Sequence, residues 1–424
     1  MAHRLPGTWK LGTYLGPDVL QPGEFGVSEF GPGVKIKGAE YDGHPDPNTL
    51  WVRLPQGQTL AGASIEVPHY LGTTVFRNMG RIWLKNLVME KFRGSGLNAT
   101  AGPADNTGTR FYNEDHLYES LWAQDNGNGS ILAAQQFFTL RDCRFDRSWR
   151  GDGRFHGTQG LSMSWVRHGV VERTRFNDNA AKGFWFAGNN LRFSDCEWLR
   201  NKGKGFWMDH YAEHVRFERC KINDNHDRGA TFEIARGPVS LIECEIRNNA
   251  SNGLWFATSS GVVIDRCRII NNAQQAPGPL PAENLRANNY WWHGRAAGQI
   301  VVSTNPREAH LGLVMNRANL PIAYPYSLNY TIRNSVIAGR TPGTSLISQY
   351  WHTEPRSQMP AYVDWYKTQL TASGNTYWHA TNPTPFHLDA ELDPAKQNNA
   401  DLAGCQQASG QDRDSIWKEP APSR

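Results

Sequence analysis

Four cysteines, Cys196, Cys220, Cys244 and Cys267, follow one another at intervals of 24, 24 and 23 residues. Each sits in the same kind of string: LRFSDCEWLRN, VRFERCKINDN, VSLIECEIRNN and VVIDRCRIINN. Further segments join the register: IWLKNLVME from Ile82, FTLRDCRF from Phe138 with Cys143, GVVERTRFNDN from Gly169 and YTIRNSVIA from Tyr330. In three of these, Leu87, Thr174 and Ser335 fill the cysteine slot. Self-similarity at such a period means stacked coils, none of which can bury its apolar face without a neighbour.

Within a coil, strand alternation sorts the side chains. In VRFERCKI, Val215 and Phe217 point inward, the chain bends, and Cys220 and Ile222 point inward again, while Arg216, Glu218 and Lys221 face out. A cysteine stacked on cysteine inside a solenoid is a small apolar core residue. A second ladder follows, Asn179, Asn201, Asn225, Asn249 and Asn272. Asn at a tight turn between strands bonds to backbone and to the amides stacked on it, a structural role. A third ladder opens on glycine: GLSMS at Gly160, GFWFA at Gly183, GFWMD at Gly205, GATFE at Gly229 and GLWFA at Gly253. The second and fourth residues of each are core positions. The third and fifth, including Trp185, Trp207, Asp209, Thr231, Glu233 and Trp255, are expected to face outward.

These patterns predict an all-β chain folded as a right-handed parallel β-helix, with inserted loops and a C-terminal capping segment. Its 424 residues exceed the roughly 250–300 at which one globular core stops growing, a limit that a solenoid escapes. Residues 1–80 read as a Pro/Gly-rich lead-in and cap, 81–350 as the coils, and 351–424 as the last rung and cap, with a short helix around 361–371. Longer coil spacings place loops near 101–137, 147–158, 273–298 and 304–328, on the side of the outward Trp strand. A net charge of +4 is too small to call for a nucleic-acid or membrane partner, and no apolar run approaches the ~18 residues of a membrane span. The opening string MAHRLPGTWKLG has no apolar h-region, so no secretory signal is expected in this chain and the compartment is left undetermined.

The outward strip of the third ladder is where chemistry is expected. Indoles on a sheet surface recur along the coils, and alternate strands lie about 9.6 Å apart, close to two sugar rings. Trp185, Trp207 and Trp255 would form a sugar-stacking platform, with small Thr231 leaving a gap beside Asp209 and Glu233. Two carboxylates on adjacent coils have the makings of an acid/base pair. The plainer reading has the indoles packed beneath loops and the acids solvated or ion-paired to Lys204 or Arg228. The turns add Lys202, His210, Tyr211, His214, His226 and Asp227, of which His226 or Tyr211 with Arg228 could serve proton abstraction beside a uronate carboxylate. No metal site is called. YDGHPDP at Tyr41 and DNGNG at Asp125 are turn chemistry first and calcium sites second.

The ladders over residues 80–340 resemble the bacterial right-handed parallel β-helix superfamily of carbohydrate-active proteins, which includes polysaccharide lyases, glycoside hydrolases, epimerases and phage tailspikes. SGNTYWHATNPTPF from Ser373 and DLAGCQQASGQDRDSIW from Asp401 look like the closing rung of many such proteins, with Cys405 where a Trp is more usual. The resemblance implies a polysaccharide or oligosaccharide substrate, no cofactor other than calcium in some members, and a monomer or homotrimer. It also implies a secreted or periplasmic setting if an export signal has been removed. It carries over no catalytic residue: the polygalacturonase Asn-Thr-Asp, Asp-Asp and Gly-His-Gly strings, the pectate-lyase calcium pattern and the Asp-Pro-His string of alginate epimerases are missing. The leading expectation is a glycoside hydrolase using Asp209 and Glu233. The rivals are a lyase or epimerase using His226 or Tyr211 with Arg228, and a non-catalytic glycan-binding β-helix.

Overall fold

The computed structural model describes residues 80–92, 94–100, 112–148, 160–180, 188–209, 212–274, 297–303, 327–349, 365–388 and 398–420. Elsewhere it describes only backbone, at 25–28, 34–36, 39–41, 49–52, 72–75, 183–186, 304 and 350–351.

Each regular coil contributes three strands. One coil runs Phe206–Asp209, Glu213–Glu218 and Lys221–Asn223; the next runs Ala230–Glu233, Val239–Ile242 and Glu245–Arg247. Every strand pairs in parallel with its counterpart one coil on. Among the described residues the chain thereby builds two long sheets of twelve strands and one of seven, a right-handed parallel β-helix.

The bend between the second and third strands of a coil is made by a single residue in the left-handed region. Arg173, Asp195, Arg219, Glu243 and Arg266 occupy it in successive coils with φ between 46° and 55°. Side chains other than glycine pay for that conformation, and here opposite charges stack at the same corner. Asp142 receives Arg173 at 2.7 Å, Asp195 receives Arg219 at 2.8 Å and Glu243 receives Arg266 at 3.0 Å.

Inside, the alternation read from the sequence holds. Phe193 stacks on Phe217 with ring centres 4.8 Å apart, Phe232 stacks on Phe256 at 5.1 Å, and the cysteine column is buried. The Asn ladder is continuous: Asn201 donates its backbone N–H (3.0 Å) and its side-chain amide (2.9 Å) to Asn225 Oδ1, Asn225 does the same to Asn249, and Asn272 ends the run on Gln299 Oε1. The ladder also explains the turn glycines. A Cβ on Gly205 would lie 2.6 Å from Asn225 Nδ2, and one on Gly229 2.5 Å from the Gly253 carbonyl oxygen.

Two sequence expectations need correction. Part of the supposed 101–137 insertion is a coil, with strands Leu117–Gln124 and Ser130–Ala133 in the long sheets and Asn126 bonding the Met89 carbonyl as an earlier ladder rung. Leu121 takes its cysteine slot and outward Trp122 blurs its alternation. Of the helix expected around 361–371, Trp365–Thr368 is described and it ends earlier than expected, since Leu370–Ser373 is already a strand of the solenoid; residues 361–364 lie outside the described residues. The closing rung is buttressed by Asp412, which accepts from Tyr377 Oη at 2.5 Å and from Asn375 Nδ2 at 3.0 Å. Cys405 is buried in the helix Leu402–Ser409. Most of the 1–80 lead-in and the loops at 147–158, 273–298 and 304–328 lie outside the described residues.

Candidate functional site

The strands Phe206–Asp209, Ala230–Glu233 and Leu254–Ala257 lie side by side in one long sheet. Phe206, Met208, Ala230, Phe232, Leu254 and Phe256 belong to the core cluster, so the residues between them face outward. The register sets Trp207 against Thr231 and Thr231 against Trp255, while Asp209 is the direct partner of Glu233. Asp209 and Glu233 therefore share an outward column on adjacent coils, about 4.8 Å apart in backbone.

The indoles do not form the open platform that the sequence suggests. Trp207 is 7% exposed and Trp255 5%, and Thr231 is fully buried between them, so there is no open gap. Each ring carries a cation on its face: Lys204, three residues before Trp207, and Arg228, from the coil preceding Trp255. Lys204 Nζ stands 4.1 Å from the centre of the Trp207 ring, and the Arg228 guanidinium 3.8 Å from that of Trp255. Both cations are themselves buried. A cation desolvated on an indole face is attracted by the ring quadrupole, and it takes from water the surface a sugar would use. Trp255 is fixed further by its Nε1–H, which donates to Ser303 Oγ at 2.8 Å. Ser303 lies beyond a long insertion, so no local string announces it.

Charge is balanced within the strip. Burial pushes Arg228 below its ordinary pKa, and the neighbouring carboxylates of Asp227 and Glu233 oppose that shift. Asp209 is 8% exposed, whereas Glu233 is only partly buried and is the more accessible acid. Among the described residues the Thr231 hydroxyl has no hydrogen-bond partner.

Not every predicted residue joins this strip. The register of Gly183–Phe186 sets Trp185 against Met163 and Met208, both core residues, one position out of line with Trp207. The Trp185 side chain, His210 and Tyr211 lie outside the described residues. His226 is exposed just past the Asn ladder, its backbone N–H donating to the Asn201 carbonyl. Lys204, Trp207, Asp209, Arg228, Thr231, Glu233 and Trp255 form the strip.

The family model described as "Right handed beta helix region" matches residues 92–234 and 210–289. No curated protein sequence matches the chain. Among solved structures, the A-module of the Azotobacter vinelandii mannuronan C-5 epimerase AlgE6 is similar at 13% identity and a TM-score of 0.42, over 82% of this chain and 81% of that one. The periplasmic alginate epimerase AlgG is similar at 13% identity and 0.40, over 73% and 70%. The Dettilon tailspike protein is similar at 8% identity and 0.34, over 76% and 59%. No residue's role follows from likenesses this distant.

Proposed function

We propose, from the premise that the chain is a right-handed β-helix, that it is a carbohydrate-active enzyme cleaving a glycosidic bond with Asp209 and Glu233. The observation that supports this most is their direct pairing in register, on the outward side of adjacent parallel strands. Carboxyl groups separated by about 5–5.5 Å suit a retaining mechanism, in which one attacks the anomeric carbon and the other protonates the leaving oxygen. Glu233, the more accessible of the two acids and within electrostatic reach of buried Arg228, is then the nucleophile and Asp209 the acid. In this reading Trp207 and Trp255 act as bases for the two cations, which fix the field at the acids; stacking of sugar rings belongs elsewhere.

A second reading, a lyase or epimerase acting on a uronate polymer, is favoured by one observation. Lys204 and Arg228 are buried at equivalent places on adjacent coils beside the acid pair, and cations there would neutralise a uronate carboxylate during proton abstraction. One experiment addresses both. The protein is incubated with neutral and uronate-containing polysaccharides while reducing ends and the ultraviolet absorbance of an unsaturated product are followed. Reducing ends without that absorbance, abolished in Asp209→Asn and Glu233→Gln, are expected. Unsaturated product would replace the first reading by the second. Glycan binding with neither product, and with no exchange of solvent deuterium into a uronate polymer, would overturn both.

A further inference from the structure

On the other long sheet and its corner, the first coils form an open cleft of about 560 Å³, lined among others by Val88, Trp122, Arg144, Arg173 and Arg175. Its volume lies within the roughly 300–1,000 Å³ of small-ligand sites. The cleft is far in the register from the acid strip, and its role does not depend on what that strip does.

One outward column runs through it. Val88 pairs with Trp122, Trp122 with Arg144, Arg144 with Arg175 and Arg175 with Glu197. The column then continues through Lys221, Glu245 and Arg268. From Arg175 onward the sign of charge alternates at every step, as an in-register parallel stack requires, since like charges directly opposite each other destabilise a sheet. Arg144 against Arg175 is the column's one like-charged step among the described residues, and it falls in the cleft.

The cations there are unequally satisfied. Arg173 is held by both oxygens of Asp142, and Arg175 reaches Glu197 at 3.5 Å. Arg144 makes no ion pair among the described residues; its guanidinium lies 4.3 Å from the centre of the Trp122 ring. Trp122 is still 38% exposed, and the neighbouring Val88 is exposed too. An aromatic surface open to water beside two like charges on a rigid sheet suits a ligand that is anionic and partly apolar. Trp122 and Arg175 are two strand steps apart, about 9.6 Å, or about two sugar rings.

We propose that this cleft is a binding subsite for an anionic saccharide, with the carboxylate or sulfate held by Arg144 and Arg175 and a pyranose packed against the surface of Trp122 that Arg144 leaves exposed. A planar guanidinium pair matches either oxyanion, and an indole matches the C–H face of a sugar ring.

The test is titration calorimetry of the full chain with trigalacturonate, a sulfated galactan trisaccharide and neutral galactotriose. Binding of one or both acidic sugars is expected, with neutral galactotriose at least ten-fold weaker and the affinity falling as salt is raised; the preferred acid identifies the oxyanion. Arg144→Gln/Arg175→Gln should weaken binding ten-fold or more, as should Trp122→Ala, with Trp122→Leu used if the alanine variant fails to fold. Arg268→Gln, in the same column beyond the cleft, should bind as the parent does. Asp209→Asn separates the two faces, because it should leave this affinity unchanged. No binding of either acidic sugar, equal binding of the neutral one, or an unaltered Kd in the folded Arg144→Gln/Arg175→Gln variant would each overturn the proposal.

Discussion

Arg228 lays its guanidinium 3.8 Å from the centre of the Trp255 ring, a side chain that belongs to the next coil. The contact ties two rungs together outside the core, and the Trp255–Ser303 hydrogen bond extends the tie to a third. Trp255→Ala should therefore cost about 3–5 kcal/mol, the range for emptying a buried aromatic site. Trp255→Phe keeps a ring beneath the cation and should cost clearly less. Urea unfolding of both variants measures the difference. Equal losses would mean that the ring's face contributes nothing to holding Arg228.

The register of Asp209 and Glu233 leads to a kinetic expectation. Asp209→Asn and Glu233→Gln are nearly isosteric, so both should fold with a Tm close to the parent's. Each should lose glycan turnover by roughly 10²–10⁴-fold, the contribution of a positioned acid or base. Kd for a bound glycan, measured on the same variants, should change far less than kcat.

Much of this was readable from residues alone, for a physical reason. In a solenoid every contact that matters recurs one period along the chain, so the Cys196–Cys220–Cys244–Cys267 spacing encodes both the fold and the facing of each side chain. Alternation likewise placed Asp209 beside Glu233 on the outside. It failed where the information is not periodic. Facing outward does not mean reaching water: Trp207 and Trp255 are buried, each with a long cationic side chain over its ring. The coil at 117–133 escaped because it has neither the cysteine nor clean alternation. The cleft at Trp122, Arg144 and Arg175 escaped with it, since the like-charged step becomes visible only once that coil is in register.

The glycine and asparagine ladders should be energetically coupled. Asn225→Ala removes the acceptor for two donors of Asn201, and buried groups left unpaired cost about 1–3 kcal/mol each. Gly205→Ala pushes a Cβ against the Asn225 amide at 2.6 Å and should also destabilise. Combined, the two should cost less than their sum, because truncating Asn225 clears part of the space the new methyl needs, although the Gly229 carbonyl at 2.8 Å still crowds it. A double-mutant cycle by chemical denaturation reads this directly, and strict additivity would refute the packing account of the glycine.

Acid should weaken the corner ladder in a defined window. Hydrogen bonds from Arg173 and Arg219 hold the carboxyls of Asp142 and Asp195 below their ordinary pKa in the folded chain. A carboxyl depressed on folding stabilises above its unfolded value, about pH 4, and that stabilisation drains away as the pH falls towards the folded value. Asp146 works in the opposite sense. Burial raises its pKa, so its contribution is present below the ordinary carboxylate pKa and is lost as the pH rises through the raised folded value. Tm measured from neutral pH down to about pH 3 should therefore fall on the acid side. Asp195→Asn should flatten that fall and Asp146→Asn should steepen it. These pairs are solvent-exposed, so added salt should shrink the Asp195 effect. A profile unchanged by Asp195→Asn would place the acid sensitivity elsewhere in the solenoid.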